Sequence, residues 1–301
     1  MSFEEAAAPT CIDCAGSVEM RIEPHEKDLG ELTVRRALPS AKRRVVGPFI
    51  FFDHIGPAEF PPGKGINVRP HPHIGLATIT YLFEGEIMHR DDLGYVQAIQ
   101  AGAVNLMTAG RGIVHSERAG ADLDQHSKLH GIQSWLALPA NKQEIEPSFQ
   151  HIAADALPEI QKDGVSVRVI MGEAYGQKSP VPLHSETLYV EALMPAGAMI
   201  VSPDGYEELA AYVVSGEVEI DADPYSSGVM AVAAPGRVLH VTARAESRVL
   251  FVGGDNLGKR KLWWNFVSDS PERIEQAKRD WRDGRFGQVP GEDEFIPLPD
   301  K

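Results

Sequence analysis

Apolar and polar positions alternate along this chain over short stretches, with Gly, Pro and Asp between them. LATITYLFEG from Leu76, MIVSPDG from Met199, LAAYVVSGEVEI from Leu209 and RVLHVTA from Arg237 are typical, rich in Val, Ile, Thr and Tyr. The 28 glycines and 22 prolines fit that punctuation. Helical periodicity is scarce and is clear only near the end. There Ser270 suits an N-cap, Pro271 the first helical position and Gly284 the stop. Ile274, Ala277 and Trp281 then share one apolar face. A second short helical piece is expected over 155–162, as part of a linker. Many short strands with frequent turns favour β-sandwiches or barrels.

The pattern repeats. Set against the residue 131 positions further on, HPHIGLATITYLFEGE from His71 lies over SPDGYEELAAYVVSGE from Ser202. Pro72 meets Pro203, Tyr81 meets Tyr212, Gly85 meets Gly216 and Glu86 meets Glu217. With a slightly longer loop, the turn at Gly102 meets the turn at Gly236. Two copies of one β-fold are therefore expected, and 301 residues suffice for them. The copies differ in chemistry: His71 and His73 become Ser202 and Asp204, and nine of the eleven histidines precede residue 160. A site, if one copy holds it, belongs to the first.

Charge narrows the partners. There are 29 Lys and Arg against 43 Asp and Glu, a net of −14. That balance argues against direct nucleic-acid binding, which needs cations to displace phosphate counterions, and against docking on an anionic membrane. No apolar run is long enough to span a bilayer, and MSFEEAAAPTC shows no secretion signal. Cys11 and Cys14 are the only cysteines. A structural zinc site usually takes four Cys or His ligands and no second pair exists, so CIDC reads as incidental. A reducing, cytoplasmic location is expected.

The candidate chemistry lies in HPH. Residues i and i+2 of a strand share a face, so His71 and His73 point one way and Pro72 the other. TAGRGIVHSERAG supplies a second such pair, His115 and Glu117, after the bend-permitting Gly110 and Gly112. If the two strands are neighbours, three imidazoles and one carboxylate converge on a barrel interior, a cost that a divalent cation offsets. Nitrogen and oxygen donors without thiolate suit Fe(II), Mn, Ni, Cu or Zn, and four protein ligands on an octahedral ion leave two positions open.

HPHIGLATITYLFEGEIMHRDDLG followed by GAVNLMTAGRGIVHSER resembles the signature of the pirin family, within the cupin superfamily. GPFIFFDHIGP from Gly47, LHGIQSWLALP from Leu129 and WWNFVSDSPERIEQAKRDWRDGRFG from Trp263 are similar to pirin segments too, so the resemblance covers nearly the whole chain. It implies an all-β bicupin, two jelly-roll barrels facing each other with a few short helices including one near the C-terminus. The expected divisions are a loose tail over 1–20, a metal-bearing cupin barrel over 21–140, a linker over 141–162, and a degenerate barrel with terminal helix and tail over 163–301. The family's metal ligands fall on His71, His73, His115 and Glu117, with Fe(II) first among the metals. Many pirins carry a Glu four residues after the second histidine; here Ala77 stands there, and Ile74 replaces an arginine. Phe52, Ala77 and Met107 are expected to line the substrate pocket.

The resemblance further implies flavonol (quercetin) 2,3-dioxygenase activity on a small aromatic substrate with dioxygen, Glu117 being the catalytic proton acceptor. The alternative is a metal- or redox-responsive regulatory protein acting through a protein partner without turnover. Elsewhere, His89, Arg90, Asp91 and Asp92 read as a solvated hairpin. His126 and His130 read as structural, His54 as the end of a core strand, and Trp263 and Trp264 as packing for the terminal helix.

Overall fold

The computed structural model describes residues 16–28 and 32–299; Cys11 and Cys14 lie outside them. Its frame is two seven-stranded antiparallel sheets, each backed by a four-stranded sheet. In the first half the larger sheet runs Ser148–Ile152, Val104–Thr108, Leu76–Glu84, Ser127–Ala137, Phe49–Phe60, Thr33–Leu38, His25–Asp28. Its partner runs Asn67–His73, Ile113–Ala119, Glu86–Asp91, Val96–Gln100. In the second half the smaller sheet runs Met199–Val201, His240–Ala243, Glu217–Ile220, Asp223–Ser226, the same order by chain position. The sequence echo is thus an echo of topology. Leu76–Glu84 and Glu208–Ser215 end near Gly85 and Gly216, which have φ of +89° and +82°, and the next strands begin at Glu86 and Glu217.

Strand parity sorts the side chains into three cores. One face of each large sheet packs on the other: Ala77, Ile79 and Tyr81 share a buried cluster with Tyr189, Tyr212 and Leu250. The second barrel's interior is aliphatic, with Val218, Ile220, Leu239 and Val241 buried together. The first barrel's interior is split into two apolar clusters, one around Trp135 and Met107, the other around Ile55 and Ile87.

The loose tail expected over 1–20 does not extend to Val18, because Val18–Ile22 pairs with Met230–Ala233 at the edge of the second sheet. The stretch expected as a linker contributes Ser148–Ile152 to the first sheet and Glu159–Lys162 to the second. The helical piece expected over 155–162 is one 3-10 turn, Ala154–Ala156, then that strand. Pro158 lacks an N–H, and Ile160 alternates with more exposed neighbours as a strand requires.

The terminal helix is Pro271–Arg282; the Ser270 side chain accepts from the Arg273 amide, and Ile274 and Ala277 are buried. These two pack with Ile74 and Phe266, beside Trp263, Trp264 and Trp281. The helix therefore supports the residue next to His73. No helix among the described residues is long and apolar enough to cross a membrane.

Candidate metal centre

Asn67–His73 and Ile113–Ala119 lie side by side, pairing His73 with Ile113, Pro72 with Val114 and His71 with His115. The register slips between His115 and Glu117, where Glu117 faces Val68. The extra residue falls at Arg69–Pro70, and Pro70, with no N–H to give, suits a bulge. At the far end, the Gly75 amide donates to the Gly110 carbonyl at 2.8 Å. A Cβ on Gly110, at φ +51°, would sit 2.0 Å from the Ile145 carbonyl oxygen.

The pairing brings together the three histidines. One ring nitrogen from each of His71, His73 and His115 lies within 4.8 Å of the others. All three residues are buried. His71 Nδ1 donates to the Arg69 carbonyl at 2.8 Å, leaving Nε2 as its free donor atom. His73 Nε2 and His115 Nε2 are 3.1 Å apart. Burial holds His71 down to about 4, and holds His73 and His115 well below the ordinary imidazole range; neighbouring imidazoles add to it. At neutral pH all three are therefore uncharged, with lone pairs available.

His73 Nδ1 is buried without a hydrogen bond, although the Asn265 backbone carbonyl lies near the ring. With the His73 proton on Nδ1 toward that carbonyl, Nε2 is released to a cation. The three-imidazole set and this orphaned atom fit a divalent transition metal.

Glu117 is buried beside the cluster but outside it: its carboxylate is not within 4.8 Å of all three nitrogens. Gln133 Nε2 donates to Glu117 Oε1 at 2.8 Å. Burial pushes the Glu117 carboxyl up, against His89 and the Gln133 bond. A cavity of about 50 Å³ reaches Glu117 between Val34, Ile55, Val68 and Gln133.

Of the expected pocket residues, Met107 belongs to the cluster on the metal side, with Trp135 and Phe51. The Trp135 ring meets His73 edge-on at 5.1 Å and stacks on Phe51 at 4.0 Å. Phe52 and Ala77 take the opposite strand parity and lie in the core between barrels, Phe52 against Tyr212. Phe51 and Trp135 stand where Phe52 and Ala77 were expected.

The reading of His89 and Asp91 as a solvated turn is corrected: both are buried, at 5% and 0% exposure. His89 pairs across strands with Glu117, and Asp91 with His115. HRD repeats the i, i+2 spacing of HPH and HSE, and that was the available signal. His54 bonds Tyr212 Oη at 2.9 Å and His130 Nε2 at 2.7 Å, at the junction of the barrels.

The second barrel lacks this chemistry. Arg118 pairs with Met88, whose echo Glu219 pairs with Thr242. Counting back from Thr242 puts Val241 at the position of Glu117 and Leu239 at that of His115, and both are buried among aliphatics.

Two stacked cupin barrels, the first with a buried three-histidine cluster and the second filled with aliphatic side chains, define a bicupin with one candidate metal site among the described residues. The pirin signature matches residues 31–136, and that of the pirin C-terminal cupin domain matches residues 189–287. A pirin-like protein of Caulobacter vibrioides is 47% identical over 288 residues, 94% of this chain and all of that one. The chain belongs to the pirin family. A crystal structure of quercetin 2,3-dioxygenase from Acinetobacter baumannii superposes with TM-score 0.86 at 34% identity, covering 94% of this chain and 96% of that one. A bacterial pirin from Escherichia coli, solved in complex with nickel(II), shares the fold at TM-score 0.62 and 18% identity, over 79% of this chain and 99% of its own.

Proposed function

We propose that this pirin binds one divalent transition metal through Nε2 of His71, His73 and His115, and catalyses a flavonol 2,3-dioxygenase reaction on a small aromatic substrate with dioxygen. The observation that carries this is the convergence of three buried imidazoles inside the first barrel. The likeness to the Acinetobacter baumannii quercetin 2,3-dioxygenase supports the reaction class.

A metal held there supplies Lewis acidity toward adjacent hydroxyl and carbonyl oxygens of a flavonol. We assign Fe(II) first; Mn, Ni, Cu and Zn suit the same donors. Glu117 accepts the substrate hydroxyl proton or completes the ligand set, and Gln133 orients its carboxylate. Trp135, Phe51 and Met107 keep water from one side of the cluster. The test is dioxygen uptake by metal-loaded protein with quercetin: steady uptake lost in Glu117→Gln is expected, and no uptake with any of the five metals overturns the reading.

One observation favours a second reading. The cavity at Glu117, about 50 Å³, has room for a few waters and is far below the roughly 300–1,000 Å³ of small-molecule pockets. A metal- or redox-responsive regulator working through a protein partner needs no larger space. Metal binding without uptake, together with partner capture that differs between ferrous and ferric protein, supports that reading instead.

A further inference from the structure

Behind His115 lie two further side chains, His89 and then the buried carboxylate of Asp91. His115 Nδ1 lies 3.4 Å from His89 Nδ1, and His89 Nε2 lies 3.0 Å from Asp91 Oδ2. Asp91 is fully buried, and its other oxygen, Oδ1, accepts the backbone amides of Leu93 and Tyr95, each at 3.0 Å. Phe149 stacks on the His89 ring at 4.3 Å and holds its plane.

Each contact dictates the next. A carboxylate only accepts, so His89 carries its proton on Nε2. When His89 is neutral that is its one N–H, so its Nδ1 is an acceptor. The contact at 3.4 Å then needs the proton on His115 Nδ1, which leaves His115 Nε2 as a bare lone pair facing His71 and His73. We propose that His89 and Asp91 are positioning residues that set the tautomer of His115 and so prepare its Nε2 as a metal donor. This rests on the metal reading above. It extends to His115 what the Arg69 carbonyl does for His71. Outer-shell partners of this kind typically contribute 10–100-fold to metal affinity.

The two amides on Oδ1 make the proposal sharp. In Asp91→Asn the side-chain oxygen stays where Leu93 and Tyr95 donate, so the new NH₂ occupies the Oδ2 position and donates to His89 Nε2. His89 must then protonate Nδ1, His115 must accept there, and the His115 proton moves to Nε2. An isosteric change therefore inverts the relay without removing an imidazole. His89→Phe keeps the stack on Phe149 and removes only the preference, so His115 samples both tautomers.

The experiment measures Ni(II) affinity by chelator competition and the His115 tautomer by nitrogen-15 NMR of metal-free protein, with thermal melting to confirm folding. Expected are an Nδ1–H tautomer in the wild type, an Nε2–H tautomer in Asp91→Asn with affinity down about 10–100-fold, and a smaller loss in His89→Phe. Asp92→Asn, which changes the adjacent carboxyl outside the relay, is expected to match the wild type. A merely structural role predicts the reverse order, since His89→Phe is the larger change; that order, or an unaltered His115 tautomer in Asp91→Asn, overturns the proposal. If the wild type binds no Ni(II), the metal reading fails, and the metal-free tautomers still decide the relay.

Discussion

His73 Nε2 and His115 Nε2 stand 3.1 Å apart on neighbouring strands, with both residues 1% exposed. Two lone pairs cannot face each other at that distance without a proton or a cation between them. In metal-free protein the His73 Nε2–H fills the gap, which leaves His73 Nδ1 unbonded. A metal bound at Nε2 would require that single proton to sit on Nδ1 instead, where the Asn265 carbonyl would accept it. His73→Ala removes a donor and this exchange together. Its Ni(II) affinity is expected to fall by more than the roughly 100-fold upper range of outer-shell changes, with thermal melting confirming that the variant folds. Chelator competition checks this, and wild-type affinity in the variant contradicts it.

The buried histidines make the metal-free protein acid-sensitive, and the sign follows from linkage. Folded His71, His73 and His115 titrate below the ordinary value of 6.5, as does His54, held near 2 mainly by burial. Below that value the unfolded chain takes protons that the native state refuses, so stability falls as pH falls. The slope approaches about 1.4 kcal/mol per pH unit for each fully buried imidazole. Glu117 and Asp53 oppose it: both carboxyls are raised by burial, so each loses stabilising effect as pH rises above its unfolded value. Burial also raises the Asp92 carboxyl and lowers His130, His151 and His184, so three carboxyls stand against seven imidazoles and the histidines dominate. Urea midpoints of chelator-treated protein are expected to drop steadily from pH 6.5 to 5, and a flat profile rules the balance out.

Much of this was legible in the sequence because strands report themselves by parity. HPH and HSE fixed which side chains share a face, and the offset of 131 residues located both copies of the fold. Parity misled where a strand is buried on both faces. Phe51 and Phe52, or Leu76 and Ala77, are adjacent buried residues, and nothing local says which one faces the histidines. His89 and Asp91 looked like a turn because charge clusters there, yet alternate residues face inward. The joining of Val18–Ile22 to a strand more than two hundred residues away carries no local signal at all.

Tyr81 shows what the echo was for. Its hydroxyl donates to Glu191 Oε2 at 2.7 Å across the junction of the barrels, and receives Arg168 Nη1 at 3.3 Å. Arg248 lies 3.0 Å from the other Glu191 oxygen. Tyr81→Phe keeps the ring packing and leaves a buried carboxylate one donor short. The expected cost is about 1.5–3 kcal/mol, as for hydrogen bonds to charged groups, with Ni(II) affinity unchanged because the ring faces away from the histidines. Urea unfolding measures the first and competition the second. A loss of metal binding would place Tyr81 in the site's support rather than in the barrel junction.

Gly75 gives the most local test of how the His73 strand is held. It adopts φ +68°, and a Cβ there would lie 2.0 Å from the Val267 carbonyl oxygen. That neighbour is not free to retreat, since the Val267 amide donates to Ile74 and its strand pairs with Lys261–Trp263. Gly75 also donates to Gly110 and accepts from Leu138, so the turn cannot swing away without breaking both bonds. Gly75→Ala therefore meets backbone on top of the left-handed conformation, which alone costs about 1–2 kcal/mol. Gly94, at φ +92° with no atom within 4 Å of its would-be Cβ, separates the two effects. Gly94→Ala is expected to lose only that backbone cost and to keep Ni(II) affinity. Gly75→Ala is expected to lose more than about 2 kcal/mol and to weaken Ni(II) binding, because His73 sits two residues before the displaced turn. Equal destabilisation of the two variants, or full metal affinity in Gly75→Ala, would mean that the turn does not hold His73 in place.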